Sequence, residues 1–492
     1  MVCDSRRALV GGAERRLCLR SQVSLGLTAI RTYGVSGLGR QLVARCQQDL
    51  LLLNSLYIMA TSVLTSALGY LFWILAARLY DSRQVGLAAG LISAITLAAF
   101  LGSVGLGSTF IERLPRRVAP QAWSLTVTTG FIVGSAAAAA GALAMIVLLP
   151  LVGHDFHVLR QNWLLPVLFV AGAVCWAAGS LLDQLFLAER TANRMLIRNA
   201  VLAVTKLPLL LVPVLVVIPN VGGILLAWFV SATLGSGFAL FFLVPRCKPG
   251  YRLFVRGVFT EFMALRRSLA GHQIIMLSCE IPTLLLPVIV ISRLDARSNA
   301  FFYLTWMLGG VFFMVSPAVA GSLFAEGSHR PDDLRRKVRL AFGYIALLLI
   351  VPMVTLTVAG GAVLSVFGAE YSTHARPLLL LLLASAVPDA VTNIALTVLR
   401  VQRRFLFATV LTISMAVLAI GAAWVLLPLL GITGAGLAWL IAQSVGALCV
   451  LPLFFDSHPL GSGLVWCRTR AALWRSKQPR SKPMIQPSTT AP

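Results

Sequence analysis

The sequence has few charged residues and, among them, very few acids. Of its 492 residues only 12% are charged and 58% are hydrophobic, and 17 acidic residues stand against 41 lysines and arginines. A water-soluble protein of this length needs a far more polar surface than this composition supplies. With a mean hydropathy of +0.87, the chain is therefore predicted to lie in a lipid bilayer.

Sequence patterns of common enzymes and metal sites are also missing. The chain has no GxxxxGK[ST] phosphate-binding loop, no HExxH and no GxSxG, and it has no carboxylate pair of the kind that glycosyl transfer uses. Its eight cysteines show no CxxC spacing, and His154 and His157 lack an acidic partner on a helix. We therefore expect no enzymatic activity, no cofactor, no metal site and no disulfide.

Long hydrophobic runs fill most of the chain after residue 50. A helix needs about 20 apolar residues to cross a bilayer, and twelve stretches of that order are separated by short polar or Pro/Gly-rich breaks. The alternating segments of roughly ten residues that build outer-membrane barrels are missing. The sequence thus predicts an all-α polytopic membrane protein with about 12 transmembrane helices. The stretches begin near Leu52, Val85, Gln121, Trp163, Arg198, Val221, Gln273, Ala300, Val338, Pro377, Phe405 and Ile432.

Lysine and arginine are distributed asymmetrically about these stretches. With the N-terminus inside, 34 of the 41 basic residues fall in cytoplasmic segments, six fall in the opposite loops, and Lys206 lies within the fifth stretch. Basic residues are retained on the cytoplasmic side of membrane proteins. Both termini are therefore predicted to be cytoplasmic, and the net charge of +24 indicates contact with anionic lipids and not with nucleic acid.

The longest connection in the middle of the chain, 246–267, is basic and divides the twelve stretches six and six. It is the predicted boundary between two halves, and no loop is long enough for a soluble domain. The first 50 residues carry eight arginines without a signal-peptide pattern, so they are either a disordered cytoplasmic leader or the product of a mis-assigned start codon. The predicted units are the leader 1–50, a six-helix half 51–245, a cytoplasmic linker 246–270, a six-helix half 271–456 and a basic cytoplasmic tail 457–492.

Two weak internal correspondences indicate that the halves are repeats. Arg78 and Arg293, each followed by leucine, precede a helix start at the same spacing, with an offset of 215 residues. Arg194 and Arg404, in the connections after the fourth and tenth stretches, correspond with an offset of 210. Because each half has an even number of helices, the repeat is parallel, and substrate sites are expected between two pseudo-symmetric halves.

Charged side chains within the apolar stretches are the main site candidates, since a charge in lipid needs a partner or water. Lys206 either contacts a diphosphate in a cavity or extends to the cytoplasmic interface. Glu280 and Asp389, each close to a proline that disrupts helical hydrogen bonding, either bind a coupling H⁺ or Na⁺ or form static ion pairs with neighbouring helices.

Polar residues near helix ends are the second group of candidates. Asn54, Thr61 and Thr65 lie on one stripe of the first helix, which either lines a water-filled cavity or allows close helix packing. Arg78 and Arg293 occupy equivalent positions of the repeat. They either anchor helix ends at the interface or together bind a phosphate or sugar acid through paired hydrogen bonds.

A series of short segments is spread over nearly the whole chain from Leu51. They are NSLY at 54–57, ARLY at 77–80, Pro287 with Phe302-Tyr303, SLFAEGSH at 322–329, FGAEY at 367–371, Pro388-Asp389 with RVQ at 400–402, and GITGAG at 431–436. The run FAEGSH at 324–329 is the most specific part of them. In this order, the segments resemble the polysaccharide and lipid-linked oligosaccharide flippases of the multidrug/oligosaccharidyl-lipid/polysaccharide exporter superfamily.

This resemblance implies a V-shaped, MATE-like bundle that carries an undecaprenyl-diphosphate-linked oligosaccharide headgroup across the membrane while the lipid tail stays in the bilayer. It implies a bacterial plasma membrane, a monomeric transport unit, and membrane lipids and other polysaccharide-assembly proteins as partners. The family usually has several basic residues in its central cavity. Here the substrate-binding candidates are Asn54, Arg78, Lys206 and Arg293, and the ion-coupling candidates are Glu280 and Asp389.

Three other functions remain open at this point. A drug or cation exporter of the same superfamily would need an acidic, aromatic-lined cavity. A membrane enzyme that acts on lipid-linked sugars would need a large outer loop with clustered functional groups, whereas the longest one, around 153–162, is short. A scaffold or inactive paralogue would keep the fold without transport.

Overall fold

The computed structural model describes residues 50–103, 105–161, 163–216, 220–252, 255–265, 273–329, 334–402 and 404–452. All regular elements of these residues are helical, as predicted. The leader up to residue 49 and the tail 457–492 lie outside the described residues. The helices are α1 (Leu50–Leu79), α2 (Ser82–Ser103), α3 (Leu106–Arg113), α4 (Pro120–Val152), α5 (Leu164–Ala188), α6 (Ala192–Val216), α7 (Val221–Phe238), α8 (Val258–Leu265), α9 (Gln273–Arg293), α10 (Ala296–His329), α11 (Leu334–Ser365), α12 (Ala369–Val401), α13 (Phe405–Leu430) and α14 (Ile432–Val450).

Eleven helices of the described residues are long and apolar enough to span a membrane, by length and composition. The twelfth long helix is α9, which has 21 residues and includes Pro282 and Pro287. Two helices begin well before their apolar stretches: α6 begins six residues before Arg198, and α12 eight residues before Pro377. A helix can extend beyond the hydrocarbon core into the interface, where its residues are polar. The apolar stretch therefore does not mark the start of either helix.

Helices α1–α7, the first half, pack in the same pattern as helices α9–α14, the second half. In the first half α1 packs on α6, α6 on α7, α2 on α4, α4 on α5, and α5 on both α2 and α7. The second half has all the equivalent pairs, which are α9–α13, α13–α14, α10–α11, α11–α12, α10–α12 and α12–α14. The packing therefore supports the predicted repeat, although no long stretch of sequence is shared.

The two halves meet mainly where α2 crosses α9 and α10. The approach is closest at Gly86, where a Cβ atom would lie 1.7 Å from the carbonyl oxygen of Ala296. The fully buried Asn299 donates a hydrogen bond from its side chain to the Gly86 carbonyl, at 2.7 Å. Only glycine allows two helix backbones to come so close, as in other membrane helix pairs.

Further hydrogen bonds join the halves at the same end of the bundle, here called the sealed end. It includes the C-terminal end of α1 and the N-terminal end of α10. The Arg78 guanidinium donates to the carbonyl oxygens of Ser365 and Val366, at 2.9 Å each. The Tyr70 hydroxyl donates to the Met307 carbonyl at 2.7 Å, and the Trp73 and Tyr303 rings lie 4.9 Å apart. These contacts hold the halves together at this end.

The described part of the linker includes α8, which is attached to the first half. The buried Glu261 carboxylate accepts hydrogen bonds from the Arg117 guanidinium at 2.8 Å and from the Thr126 hydroxyl at 2.9 Å. Because α4 carries Thr126, α8 is attached to the first half. Its Phe259 side chain is exposed.

Candidate functional site

A cavity of about 330 Å³ lies inside the first half, between α1, α5 and α6. The helices α5 and α6 are antiparallel and are joined by residues 189–191. The ion pair between Asp183 and Arg198 fixes which residues of the two helices lie level with each other, and counting seven residues further along each helix pairs Trp176 with Thr205, next to Lys206. The lining residues are Thr65, Trp176, Ser180, Asp183, Arg198, Asn199, Leu202, Ala203 and Lys206.

A buried ion pair forms part of the wall of this first-half cavity. The Arg198 guanidinium, only 3% exposed, donates to one oxygen of the Asp183 carboxylate at 2.8 Å. The Asn199 amide donates to the other oxygen at 3.0 Å. At Gly179 a Cβ atom would lie 1.9 Å from the guanidinium, so the space for Arg198 exists because this residue is glycine.

Lys206 is the other cationic side chain that lines the first-half cavity. Its ammonium lies 5.2 Å from the centre of the Phe72 ring, a favourable cation–π contact. No carboxylate of the described residues lies within 4 Å of it. Among the described residues, the lining therefore has two cationic groups and one carboxylate, and that carboxylate is already paired with Arg198.

A second cavity, of about 340 Å³, lies inside the second half and contains both predicted ion-coupling residues. Asp389 is 5% exposed and accepts a hydrogen bond from the Ser316 hydroxyl at 2.6 Å. Glu280, on α9, lines the same cavity. None of the described lining residues is basic. The polar ones are Ser278, Glu280, Thr283, Asp389, Thr392, Asn393, Thr412 and Gln443.

Three aromatic side chains form the apolar wall of this second-half cavity. Trp306 and Trp439 meet edge to face with ring centroids 5.0 Å apart, and Phe313 lies 5.7 Å from Trp439. The faces of aromatic rings carry partial negative charge. Together with two carboxylates, these rings make the second-half cavity attractive to cations.

The two cavities occupy equivalent places in the repeat but differ in charge. Each is formed by the first, fourth and fifth long helices of its half, with further helices completing the second. The repeat offsets pair Thr65 with Glu280, Asp183 with Asn393 and Lys206 with Ala416, and all six residues line a cavity. The same architecture thus provides a positive cavity in one half and a negative cavity in the other.

The remaining predicted substrate-binding residues lie outside these two sets of lining residues. The Asn54 side chain accepts a hydrogen bond from the backbone N–H of Ala192 at 3.0 Å, which caps the start of α6. Arg78 donates to backbone carbonyls at the sealed end. Arg293 lies over the Trp424 ring at 4.7 Å. Arg78 and Arg293 thus have different partners in the structure, backbone carbonyls for Arg78 and an indole ring for Arg293.

Two residues of the first-half cavity were missed in the sequence. Arg198 stands where the fifth apolar stretch begins and counts among the cytoplasmic basic residues, yet it lies six residues inside α6. A signal existed, since Asp183 lies six residues before the turn at 189–191 and Arg198, of opposite charge, lies seven residues after it. No signal in the sequence pointed to Trp176, because a tryptophan is unremarkable in an apolar helix.

Sequence comparison identifies no relatives: no protein-family model matches the chain, and no curated protein is similar to it. Structural comparison does find neighbours. A multidrug resistance MATE family transporter of the MOP superfamily, in an inward-facing conformation, matches 87% of this chain and 96% of its own, at 17% identity and a TM-score of 0.57. The lipid II flippase MurJ, in an inward closed conformation, matches 87% and 94%, at 13% identity and a TM-score of 0.65.

An outward-facing conformation of a MATE family transporter matches less well, over 86% of this chain and 95% of its own, at 16% identity and a TM-score of 0.51. At sequence identities this low, the structural similarity shows the fold alone. This protein is therefore a multi-pass membrane protein with the fold of MATE transporters and MurJ.

Proposed function

We propose that this membrane protein translocates a polyprenyl-diphosphate-linked oligosaccharide across the bacterial plasma membrane by alternating access. The fold is that of transporters and flippases, and the halves are joined at one end. In the orientation predicted from the basic residues, the sealed end faces away from the cytoplasm, and the substrate enters from the cytoplasmic side. The lipid tail stays in the bilayer while the headgroup passes between the halves.

Lys206 carries this proposal. A cation away from bulk water is costly unless an anion or an aromatic face accompanies it. The Phe72 ring supplies one such partner, and the cavity carboxylate is already paired with Arg198. An incoming diphosphate supplies the missing anion. Arg78 and Arg293 lie at helix ends, and in this mechanism they contact the substrate only after the sealed end opens.

Glu280 and Asp389 are the proposed coupling site for H⁺ or Na⁺. Both line one cavity that has no basic residue among its described lining. Binding of a cation there would neutralise a carboxylate and alter the hydrogen bond between Ser316 on α10 and Asp389 on α12. Since α10 also forms the contact between the halves, occupancy of this site is in a position to bias opening and closing.

The test is flipping of a fluorescent polyprenyl-diphosphate oligosaccharide in proteoliposomes, with and without a pH or Na⁺ gradient. We expect Lys206→Gln to slow flipping about tenfold or more, the effect of losing one charge-assisted contact. Lys248→Gln is the matched control, because Lys248 contacts the Arg117 carbonyl outside the cavity. Asp389→Asn should still flip but without acceleration by the gradient.

Two outcomes contradict the proposal. If Lys206→Gln flips the substrate at the wild-type rate, the first-half cavity is not part of the translocation pathway. A folded wild-type protein that flips no lipid-linked sugar under any gradient would favour an enzyme or a scaffold.

A cation-coupled drug exporter is the second candidate, and the second-half cavity favours it. Two carboxylates and three aromatic rings are suited to an organic cation. Efflux of a cationic dye by wild type, lost in Asp389→Asn and accompanied by no sugar flipping, would establish this alternative.

A further inference from the structure

A tryptophan that stacks on a second tryptophan lines the first-half cavity, and its role is not explained by the ion pair or by Lys206. Trp176 on α5 and Trp228 on α7 have ring centroids 4.8 Å apart and an angle of 24° between their planes. Trp228 is buried, and it packs near Ile95 and Gly172. It holds one face of Trp176 in place, and Trp176 is the member of the pair that lines the cavity.

Hydrogen-bonding groups lie at the same level as this ring. The register that pairs Asp183 with Arg198 places Trp176 level with Thr205, the residue before Lys206, and both Trp176 and Lys206 line the cavity. Ser180 is one turn along α5 from Trp176 and also lines the cavity. An aromatic ring, a cation and a hydroxyl are thus combined in a cavity near the lower end of the size range of ligand sites.

This combination matches one class of ligand better than others. A sugar ring presents C–H groups of partial positive charge, which are attracted to the face of an indole ring, and its hydroxyls match the Ser180 hydroxyl. A diphosphate bonded to that sugar matches the Lys206 ammonium. A polyprenyl diphosphate without a sugar would leave the aromatic wall unused, and an organic cation would meet two cationic groups.

We propose that Trp176, supported by Trp228, is the stacking surface for the sugar unit bonded to the diphosphate, while Lys206 contacts the diphosphate itself. This inference rests on the proposed function and adds a sugar subsite to it. In this proposal one sugar and its phosphates occupy the cavity of about 330 Å³, and the rest of the oligosaccharide lies outside it. Trp176 therefore contributes to selection of a glycosylated lipid over the bare lipid diphosphate.

The experiment measures binding to the purified full-length chain in detergent. The probes are geranyl diphosphate and geranyl diphosphate that carries N-acetylglucosamine or galactose. Wild type should bind a glycosylated probe about tenfold more tightly than the bare diphosphate. Trp176→Leu should lose this preference, and Lys206→Gln should weaken both kinds of probe alike. Trp163→Leu is the matched control, because Trp163 is 77% exposed and lies outside the cavity lining.

The preference measures the sugar subsite separately from transport. If wild type prefers a glycosylated probe and Trp176→Leu loses that preference, yet wild type flips no lipid, the result supports the subsite and refutes the proposed function. If wild type flips normally but binds all probes equally, the subsite is overturned. The same holds if the preference for the glycosylated probe survives in Trp176→Leu. If Trp176→Leu folds poorly, Trp176→Phe decides the question, since its smaller ring should leave a preference of about threefold.

Discussion

The Asp155 carboxylate accepts a hydrogen bond from the backbone N–H of Ala296 at 2.8 Å, and this contact crosses from the first half to the second. Its other oxygen accepts from the Arg83 guanidinium at 2.7 Å. Ala296 begins α10, where the unpaired N–H groups of a helix start favour a negative charge. One carboxylate thus connects the starts of α2 and α10 at the sealed end.

Removal of this carboxylate should loosen the sealed end. Asp155→Ala loses two hydrogen bonds, one of them with a charged donor, and should raise the population open at this end about tenfold or more. The measurement is labelling of a cysteine placed at the buried Ala300, in a background without native cysteines, by a membrane-impermeant maleimide. Glu370→Gln is the control, because its exposed pair with Arg297 lies within the second half. Unchanged labelling of Asp155→Ala would show that other contacts suffice.

Close packing at Gly86 should make this position intolerant of any side chain. In Gly86→Ala the new methyl group would overlap the Ala296 carbonyl, and the halves would have to separate. We expect a loss of about 1–3 kcal/mol of stability, typical of overpacking, read as a lower thermal unfolding midpoint in detergent. Gly421→Ala is the matched control, since no atom lies within 4 Å of its added Cβ. A helical alanine there should be neutral or stabilising. Equal midpoints for the two variants would refute the close approach.

The buried pair Arg198–Asp183 should matter most when only one partner is removed. Arg198→Leu leaves the Asp183 carboxylate without its cation in the cavity wall and should cost about 3 kcal/mol. The double variant Arg198→Leu/Asp183→Leu removes both charges and should recover most of that stability. Thermal unfolding of the two single variants and the double variant measures the coupling. Additive losses would mean that the two charges do not stabilise each other.

Attachment of α8 to the first half should depend on Glu261. Glu261→Ala removes the acceptor for Arg117 and Thr126, so the linker should open more often. Trypsin cleavage after Arg256, which precedes α8 and is exposed, should become several-fold faster. Thr260→Ala, at an exposed neighbouring position of the same helix, should cleave at the wild-type rate. Resistance of Glu261→Ala would assign the attachment to apolar contacts.

The sequence draws attention to residues that stand out locally. Lys206, Glu280 and Asp389 were found because a charge in an apolar stretch is conspicuous, and the structure places all three in cavity walls. Arg198 escaped notice because it lies among other basic residues near a helix start. Trp176 was missed because its position gains meaning only from Trp228 and from the antiparallel register of α5 and α6.

Arg78 and Arg293 have different surroundings although they are equivalent in the sequence repeat. They occupy equivalent positions in the repeat and in their helices. One donates to backbone carbonyls of the opposite half, whereas the other lies on Trp424 within its own half. A repeat in the chain does not impose equal surroundings, because each half meets a different partner.

The sequence by itself determined the helices, their order and the division into two similar halves. The physical reason is that a helix in lipid satisfies its backbone hydrogen bonds within one continuous apolar segment, so the information is local. The tertiary structure decided which end is sealed and gave the two cavities their opposite charges. Those features depend on contacts such as Asp155 with Ala296 and Asp183 with Arg198, which form only when separate helices pack together.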